Sequence, residues 1–389
     1  MRRLIVGAII CLVLLSVGCV KSLPIDRCSY VMDIGVEKGE RLPYLVTLML
    51  NSPAGSSEGG SEGSVSLVSA EGRSLFEAIE TLSAGLPNQL NFTRTTLLAF
   101  SAELAEAGEI PEIMDIALSK LRIRENARVM IMEGGVKAAL EGAVSESDPT
   151  TGSLKINLEN MESLLGTTVD TKWNELKEAF DSDTHDALVG FCALNEGEPK
   201  TDMVGSNEYS YLGGGLLIEG ELKTAIMGSA VFSKGRMVGV LDGQNTMLVR
   251  MAAGGFVQGR IRLNTPDGRE LSVSLYQGAE PEISLSGGVA RFTIALEADV
   301  EMPKILQDFE PELLETLISE DIAKRMALVF KRTQEAGADV FGLGKSAIKG
   351  FERTADWESY DFPKQFYGFL AEFFVTVKLN HSPDNNSME

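Results

Sequence analysis

Histidine is nearly missing from this chain: only His185 and His381 occur in 389 residues. One lies in the acidic stretch Asp181–Asp186, the other nine residues from the C-terminus. That scarcity argues against a His-rich metal site and against most imidazole acid–base chemistry. Positive charge is also short, with 35 Lys plus Arg against 56 Asp plus Glu, a formal net charge of -21. Such a chain is repelled by nucleic-acid phosphates and by anionic lipid, which excludes a nucleic-acid binder. An ordinary hydrolase is already disfavoured. What remains is 44% hydrophobic and 23% charged, a folded protein with room for two or three domains.

The first twenty residues read as a targeting signal. Arg2 and Arg3 precede an apolar run from Leu4 to Val17, too short to span a bilayer comfortably and suited to secretion. The run ends in Leu15-Ser16-Val17-Gly18-Cys19. This resembles a bacterial lipobox, in which the cysteine thiol accepts diacylglycerol and cleavage falls just before it. Ser16 stands where the usual leucine would be, with Leu15 one residue further out. The competing reading is an ordinary signal peptide with an incidental cysteine. Residues 1–18 are therefore expected to be removed, leaving Cys19 lipidated. Diacylglycerol plus a further acyl chain such as palmitate gives the two-chain anchoring that one chain cannot. Cys11 leaves with the signal, so Cys28 and Cys192 remain. They can pair outside the cytoplasmic membrane, but no spacing signature links them. Two buried or free thiols are the preferred reading.

Along the chain, strands alternate with helices. Tyr30–Val36 and Pro43–Leu50 read as strands, followed by a Gly/Ser-rich flexible loop over 51–64. Ser74-Leu-Phe-Glu77 is a capping box opening a helix with Leu75, Ile79 and Leu82 on one face. Thr95–Phe100 and Ala127–Met132 read as strands, with helices up to Gly108, from Pro111, from Gly135 and over Lys172–Phe180. Composition shifts at 195–223, and the domain boundary is placed there. Beyond it, Ala225–Phe232 and Arg236–Leu241 form a hairpin, as do Gly259–Leu263 and Leu271–Tyr276. Phe292, Ile294, Leu296, Ala298 and Val300 alternate with more polar residues, the mark of a half-buried strand. The longest helix starts at Pro311 and stops at Gly337, with Leu314, Leu317/Ile318, Ile322, Met326 and Val329/Phe330 as its stripe. Phe373–Leu379 closes the chain as a strand. The pattern predicts a multi-domain α+β protein, with mixed or antiparallel sheets and helices packed on one face. Its parts are a signal at 1–18, a first domain at 19–200 with room for two subdomains, a second at 224–381 and a tail at 382–389.

Three apparent motifs fail on context. Gly59-Gly60-Ser61-Glu62-Gly63 matches a nucleophile elbow but lacks the flanking strand and helix. Gly344-Lys345-Ser346 looks like the end of a phosphate loop, yet Asp339 stands where its first glycine belongs. Gly342-Leu-Gly344 fits a loose dinucleotide pattern but follows a long helix, not a strand. Asp181 and Asp183 can in principle bind cations, though a solvated polar loop suits so acidic a chain better. No catalytic, metal or cofactor-binding residue is assigned.

Several separated blocks resemble the Ger(x)C family, the C subunits of spore germinant receptors, over nearly the whole mature chain. Asp26-Arg27 with Val31-Met-Asp-Ile-Gly35-Val36-Glu37 looks like its first strand and turn, and Gly72-Arg-Ser-Leu-Phe-Glu-Ala78 like its first helix. Leu97–Gly108 resembles the strand and helix after that, and Gly228–Phe232 with Met237–Asp242 the hairpin opening the C-terminal domain. Most specific is Gln334…Ala338-Asp339-Val340-Phe341-Gly342-Leu-Gly344, followed by Trp357. The resemblance implies a non-enzymatic lipoprotein on the outer face of the inner spore membrane, assembled with an A-type and a transporter-like B-type membrane subunit. In that setting the block Phe341–Asp361 is either a partner surface or packing for the long helix, and packing is preferred. The alternatives are a solute-binding lipoprotein of an importer and a cell-wall hydrolase.

Overall fold

The computed structural model describes residues 28–52, 64–146, 153–195, 201–205, 211–216, 218, 224–301 and 309–380. Its first half is built on runs that are apolar at nearly every position, the signature of strands buried on both faces. β1 (Cys28–Lys38), β5 (Leu97–Ser101), β6 (Arg128–Glu133) and β7 (Leu188–Leu194) lie parallel and adjacent in that order. The hairpin strands β2 (Tyr44–Ser52) and β3 (Ser64–Gly72) extend the sheet antiparallel beyond β1, and short β4 (Gln89–Asn91) runs parallel to the start of β1. At the other edge β8 (Thr224–Ser233) and β9 (Arg236–Leu241) add antiparallel strands, making nine.

Helices cover both faces of this sheet. α1 (Leu75–Gly85), α2 (Ala102–Ala107), α3 (Ile110–Leu121) and α6 (Trp173–Asp181) pack over Leu98, Phe100, Val129 and Ile131. α4 (Val136–Glu146) and α5 (Ser153–Asn160) pack over Leu97, Ala99, Met130 and Met132 on the other side. The alternation along β5 and β6 thus feeds two cores, whereas in the second half it separates core from water. Gly35 is what lets α4 approach: a Cβ there would lie 2.6 Å from the Val136 side chain. The capping box of α1 is present in a shifted form. Ser74 accepts from the Glu77 N–H at 3.2 Å, and Glu77 reaches back to the N–H of Arg73 at 2.7 Å.

The second sheet holds β10 (Gln258–Asn264), β11 (Glu270–Gln277), β12 (Glu282–Ser286), β13 (Val289–Val300) and β14 (Leu370–Leu379). Along β13, Ala290, Phe292, Ile294, Leu296 and Ala298 are buried while Thr293 and Glu297 face water. One face packs under α8 (Pro311–Glu335), whose buried residues Leu314, Ile318, Ile322, Met326, Val329 and Phe330 are the expected stripe. Short helices α9 (Leu343–Ala347), α10 (Thr354–Tyr360) and α11 (Phe362–Phe366) connect α8 to β14.

Between the sheets lies α7 (Gly243–Ala253), absent from the sequence reading because it has no polar face: Gly243 to Ala252 are all buried. It packs against β8, β13 and α8, and its core is continuous with Val231 and Leu241 of the first sheet. The hydrogen-bonded sheet also runs across the interval 195–223, since β7 before it pairs with β8 after it. Residues 224–241 therefore pair with the first sheet, although composition groups them with the second half. The loop expected over 51–64 is shorter at its ends, because Asn51 and Ser52 belong to β2 and Ser64 to β3; residues 53–63 lie outside the described residues. Cys28 and Cys192 are both buried thiols, with no disulfide.

Candidate functional site

In an open sheet with parallel strands, ligands bind beyond the C-terminal strand ends. There the ends of β1, β5 and β6 leave a depression of about 380 Å³ lined by Glu37, Lys38, Ser101, Glu103 and Glu133. The backbone donors that would hold an anion are already used. Glu37 accepts from the N–H groups of Val136 (2.9 Å) and Lys137 (3.0 Å) at the start of α4. Ser101 accepts from the N–H of Leu104 in α2. The protein's own side chains fill this place.

A larger groove, about 470 Å³, opens where the two halves meet. Its walls include Asp183, His185 and Asp186 before β7, Lys234 in the β8–β9 turn, and Asp339 and Tyr367 from the second half. Asp181 and Asp183 are exposed, as a solvated loop requires, yet the acids of the stretch Asp181–Asp186 also bind the other half or their own helix. Asp186 accepts from the N–H groups of Lys234 (3.0 Å) and Asp339 (2.9 Å), and its own N–H donates to the carbonyl of Asp339 at 3.0 Å. Asp183 accepts from the indole N–H of Trp357 at 2.9 Å. Asp181 pairs with Lys177 at 2.9 Å. Ser233 donates to the carbonyl of Gly337 at 2.7 Å.

Asp339 carries the opposite side of this seam. It is 3% exposed, and its two oxygens accept from the N–H groups of Leu343 (2.9 Å) and Gly344 (2.8 Å). That carboxylate takes up two backbone donors at the start of α9. Burial pushes the Asp339 carboxyl up to about 7, opposed by those N–H bonds and assisted by the charge of Asp186. Asp186 is raised by burial too, against its N–H bonds from Asp339 and Lys234. His185 is lowered by burial and then by Lys345. Every oxygen of both aspartates holds backbone, so the arrangement fastens chain to chain.

The aromatics of Phe341–Asp361 face inward. Phe341 meets Phe330 at 5.3 Å and Phe292 at 5.7 Å between ring centroids, and Phe292 stacks on Phe373 at 4.6 Å. Trp357 is buried and stacks on Phe362. The alternative of an exposed aromatic partner surface is corrected by this packing. Gln334 of α8 donates to the carbonyls of Phe366 (2.7 Å) and Phe369 (3.0 Å). Gly344 is required by the seam itself, because a Cβ there would lie 2.3 Å from the Thr184 carbonyl oxygen.

Residues 21–192 match the family model "Spore germination protein N-terminal domain", and residues 227–382 match "Spore germination B3/ GerAC like, C-terminal". The chain belongs to the Ger(x)C family of spore germinant receptor C subunits. The crystal structure of the GerBC protein resembles this Ger(x)C chain with a TM-score of 0.53 at 11% identity, covering 90% of this chain and 97% of that one. At that identity the likeness concerns the fold. No curated protein matches it. The family block from Gln334 to Gly344 now has a physical meaning in this Ger(x)C protein: it closes the seam between the halves.

The partner of that block lies 153 positions earlier at Asp186, and Trp357 after the block meets Asp183. Cys19, Gly59–Gly63 and His381 lie outside the described residues. Among the described residues no group of three His, Cys, Asp or Glu is placed to hold a metal, and no helix is long and apolar enough to cross a membrane.

Proposed function

We propose that this chain is a non-enzymatic, lipid-anchored subunit of a nutrient germinant receptor. Cys19 carries the lipid and holds the chain on the outer face of the cytoplasmic membrane, the inner membrane of the spore. There it assembles with the A-type and B-type integral membrane subunits and acts by contact with them. The observation that carries this reading is the pair of family matches, which together span most of the chain after Cys19. Two features support it. Glu37 and Asp339 take up backbone N–H groups at the starts of α4 and α9 that an anionic ligand would otherwise use. The acidic groups that meet in the interior fasten backbone across the seam.

Anchoring raises the effective concentration of the chain toward membrane partners, so modest contacts suffice for assembly. The test is retrieval of the tagged lipoprotein from solubilised spore membranes, beside calorimetry of the mature chain with amino acids and sugars. Retrieval with a large multi-span protein and a transporter-like one, without heat of nutrient binding, is expected. Micromolar nutrient binding with no membrane protein retrieved would contradict it and favour an importer's solute-binding lipoprotein.

A further inference from the structure

Many of the described basic side chains in this acidic molecule are paired, as Lys38 with Glu109, Arg128 with Asp170 and Arg325 with Asp321 show. The exposed Lys345, Lys349, Arg353 and Lys364, which pair with no described carboxylate, stand among the acids Glu352, Asp356 and Glu358, whereas one pole of the first sheet gathers basic groups with few acids around them. Where β1 and β4 begin and α3 ends, Arg94, Lys120, Arg122 and Arg124 are all exposed. None forms an ion pair with a described carboxylate; the Arg94 guanidinium lies 4.4 Å from the Tyr30 ring centre. The chain carries no acid from Leu86 to Phe100 or from Ile116 to Arg124. Glu80 and Glu125 flank the cluster on either side. The same pole contains a depression of about 410 Å³ lined by Cys28, Phe76, Ile79, Leu90, Lys120 and Arg122, among others.

Position and charge then select the occupant. Cys28 opens β1 at this pole, nine residues after Cys19, and nine extended residues reach about 30 Å. A lipid on Cys19 therefore tethers this end nearest the bilayer. Repulsion between the acidic body and an anionic surface is screened beyond about 8 Å at physiological salt. The headgroups consequently meet the basic pole rather than the net charge of -21. We propose that this pole rests on the membrane, with Arg94, Lys120, Arg122 and Arg124 against the phosphates of anionic lipid. The contact fixes the orientation of the chain, so the C-terminal ends of β1, β5 and β6 point away from the lipid. The inference rests on the lipid-anchored reading above.

The test uses the mature lipidated chain in nanodiscs with and without phosphatidylglycerol, following amide exchange over residues 89–94 and 120–126. Each basic residue at an anionic surface strengthens contact about fivefold, so losing three weakens it by about two orders of magnitude and reversing them by more. Exchange in both segments is expected to slow at least about fivefold on the anionic discs. The Lys120→Glu/Arg122→Glu/Arg124→Glu variant, altered only at exposed positions, should exchange alike on both kinds of disc. Equal exchange by the unaltered chain on both discs would overturn the proposal. The mature polypeptide prepared without lipid is assayed in parallel for salt-sensitive binding to phosphatidylglycerol vesicles. An absent lipid label with intact vesicle binding sinks the anchor alone; an anchored chain indifferent to lipid charge sinks the pole alone.

Discussion

The two sheets of this protein use the same side-chain alternation for different ends. In β5 of the first sheet, Leu97 and Ala99 point to one set of helices and Leu98 and Phe100 to another, and every residue is buried. In β13 of the second, the inward residues meet α8 while Thr293 and Glu297 meet water. The first sheet is an interior layer; the second is a wall. A strand in the wall therefore tolerates change at every other position, and a central strand of the layer such as β5 tolerates it nowhere.

The sharpest way to break that comparison is a set of truncations read by denaturant unfolding. Leu97→Ala and Leu98→Ala, on opposite faces of β5, should each cost about 2–5 kcal/mol. In β13, Ile294→Ala should cost as much, but Thr293→Ala no more than about 0.5 kcal/mol. A large loss at Thr293, or a small one at either leucine, would show that the layer-and-wall distinction is wrong.

Acid titration gives the next effect. Asp33 is 1% exposed in β1, and burial raises its carboxyl to about 7 against a hydrogen bond from Thr96 and the charge of Lys155. Asp339 is likewise raised to about 7 in the seam. A carboxyl that holds its proton more tightly when folded stabilises below its unfolded value near 3.8, and that contribution is lost as pH rises through about 7. Stability should therefore fall between about pH 4 and pH 7, by on the order of a few kcal/mol. Asp33→Asn should remove part of that slope, raising the Tm at the alkaline end and changing little at the acid end. A flat profile would show that both groups stay ionised in the folded chain.

Smaller effects sharpen the seam and the wall. Gly344→Ala forces a methyl against the Thr184 carbonyl and should cost about 1–3 kcal/mol. The exposed pair Arg291–Glu372, at 2.9 Å across β13 and β14, should show a coupling of no more than about 1 kcal/mol in a double-mutant cycle.

How much of this was readable depended on how local the cause is. The α8 stripe, the alternation in β13 and the β8–β9 hairpin depend on neighbours a few residues away, and each lies where the pattern puts it. α7 did not show, because a helix buried all round with Gln244, Asn245 and Arg250 inside has no stripe to find. Its polar groups are satisfied by distant partners: Arg250 reaches the Glu162 and Thr168 carbonyls, and Asn245 the Asp202 carboxylate. β3 and β12 were missed for a related reason, since edge strands rich in serine carry a weak apolar pattern. Asp181–Asp186 looked solvated because nothing nearby in sequence reveals that Asp339, Lys234 and Trp357 will meet it.

The seam, the β7–β8 pairing and the shared core around α7 together make the two halves one mechanical body, and that is the claim most open to a direct test. Scanning calorimetry of the mature chain should show a single transition whose calorimetric and van't Hoff enthalpies agree. Asp186→Ala, which leaves two seam N–H groups without their acceptor, should lower the Tm of that one transition. Two separable transitions in the unaltered chain, with Asp186→Ala changing neither, would show that the halves unfold independently.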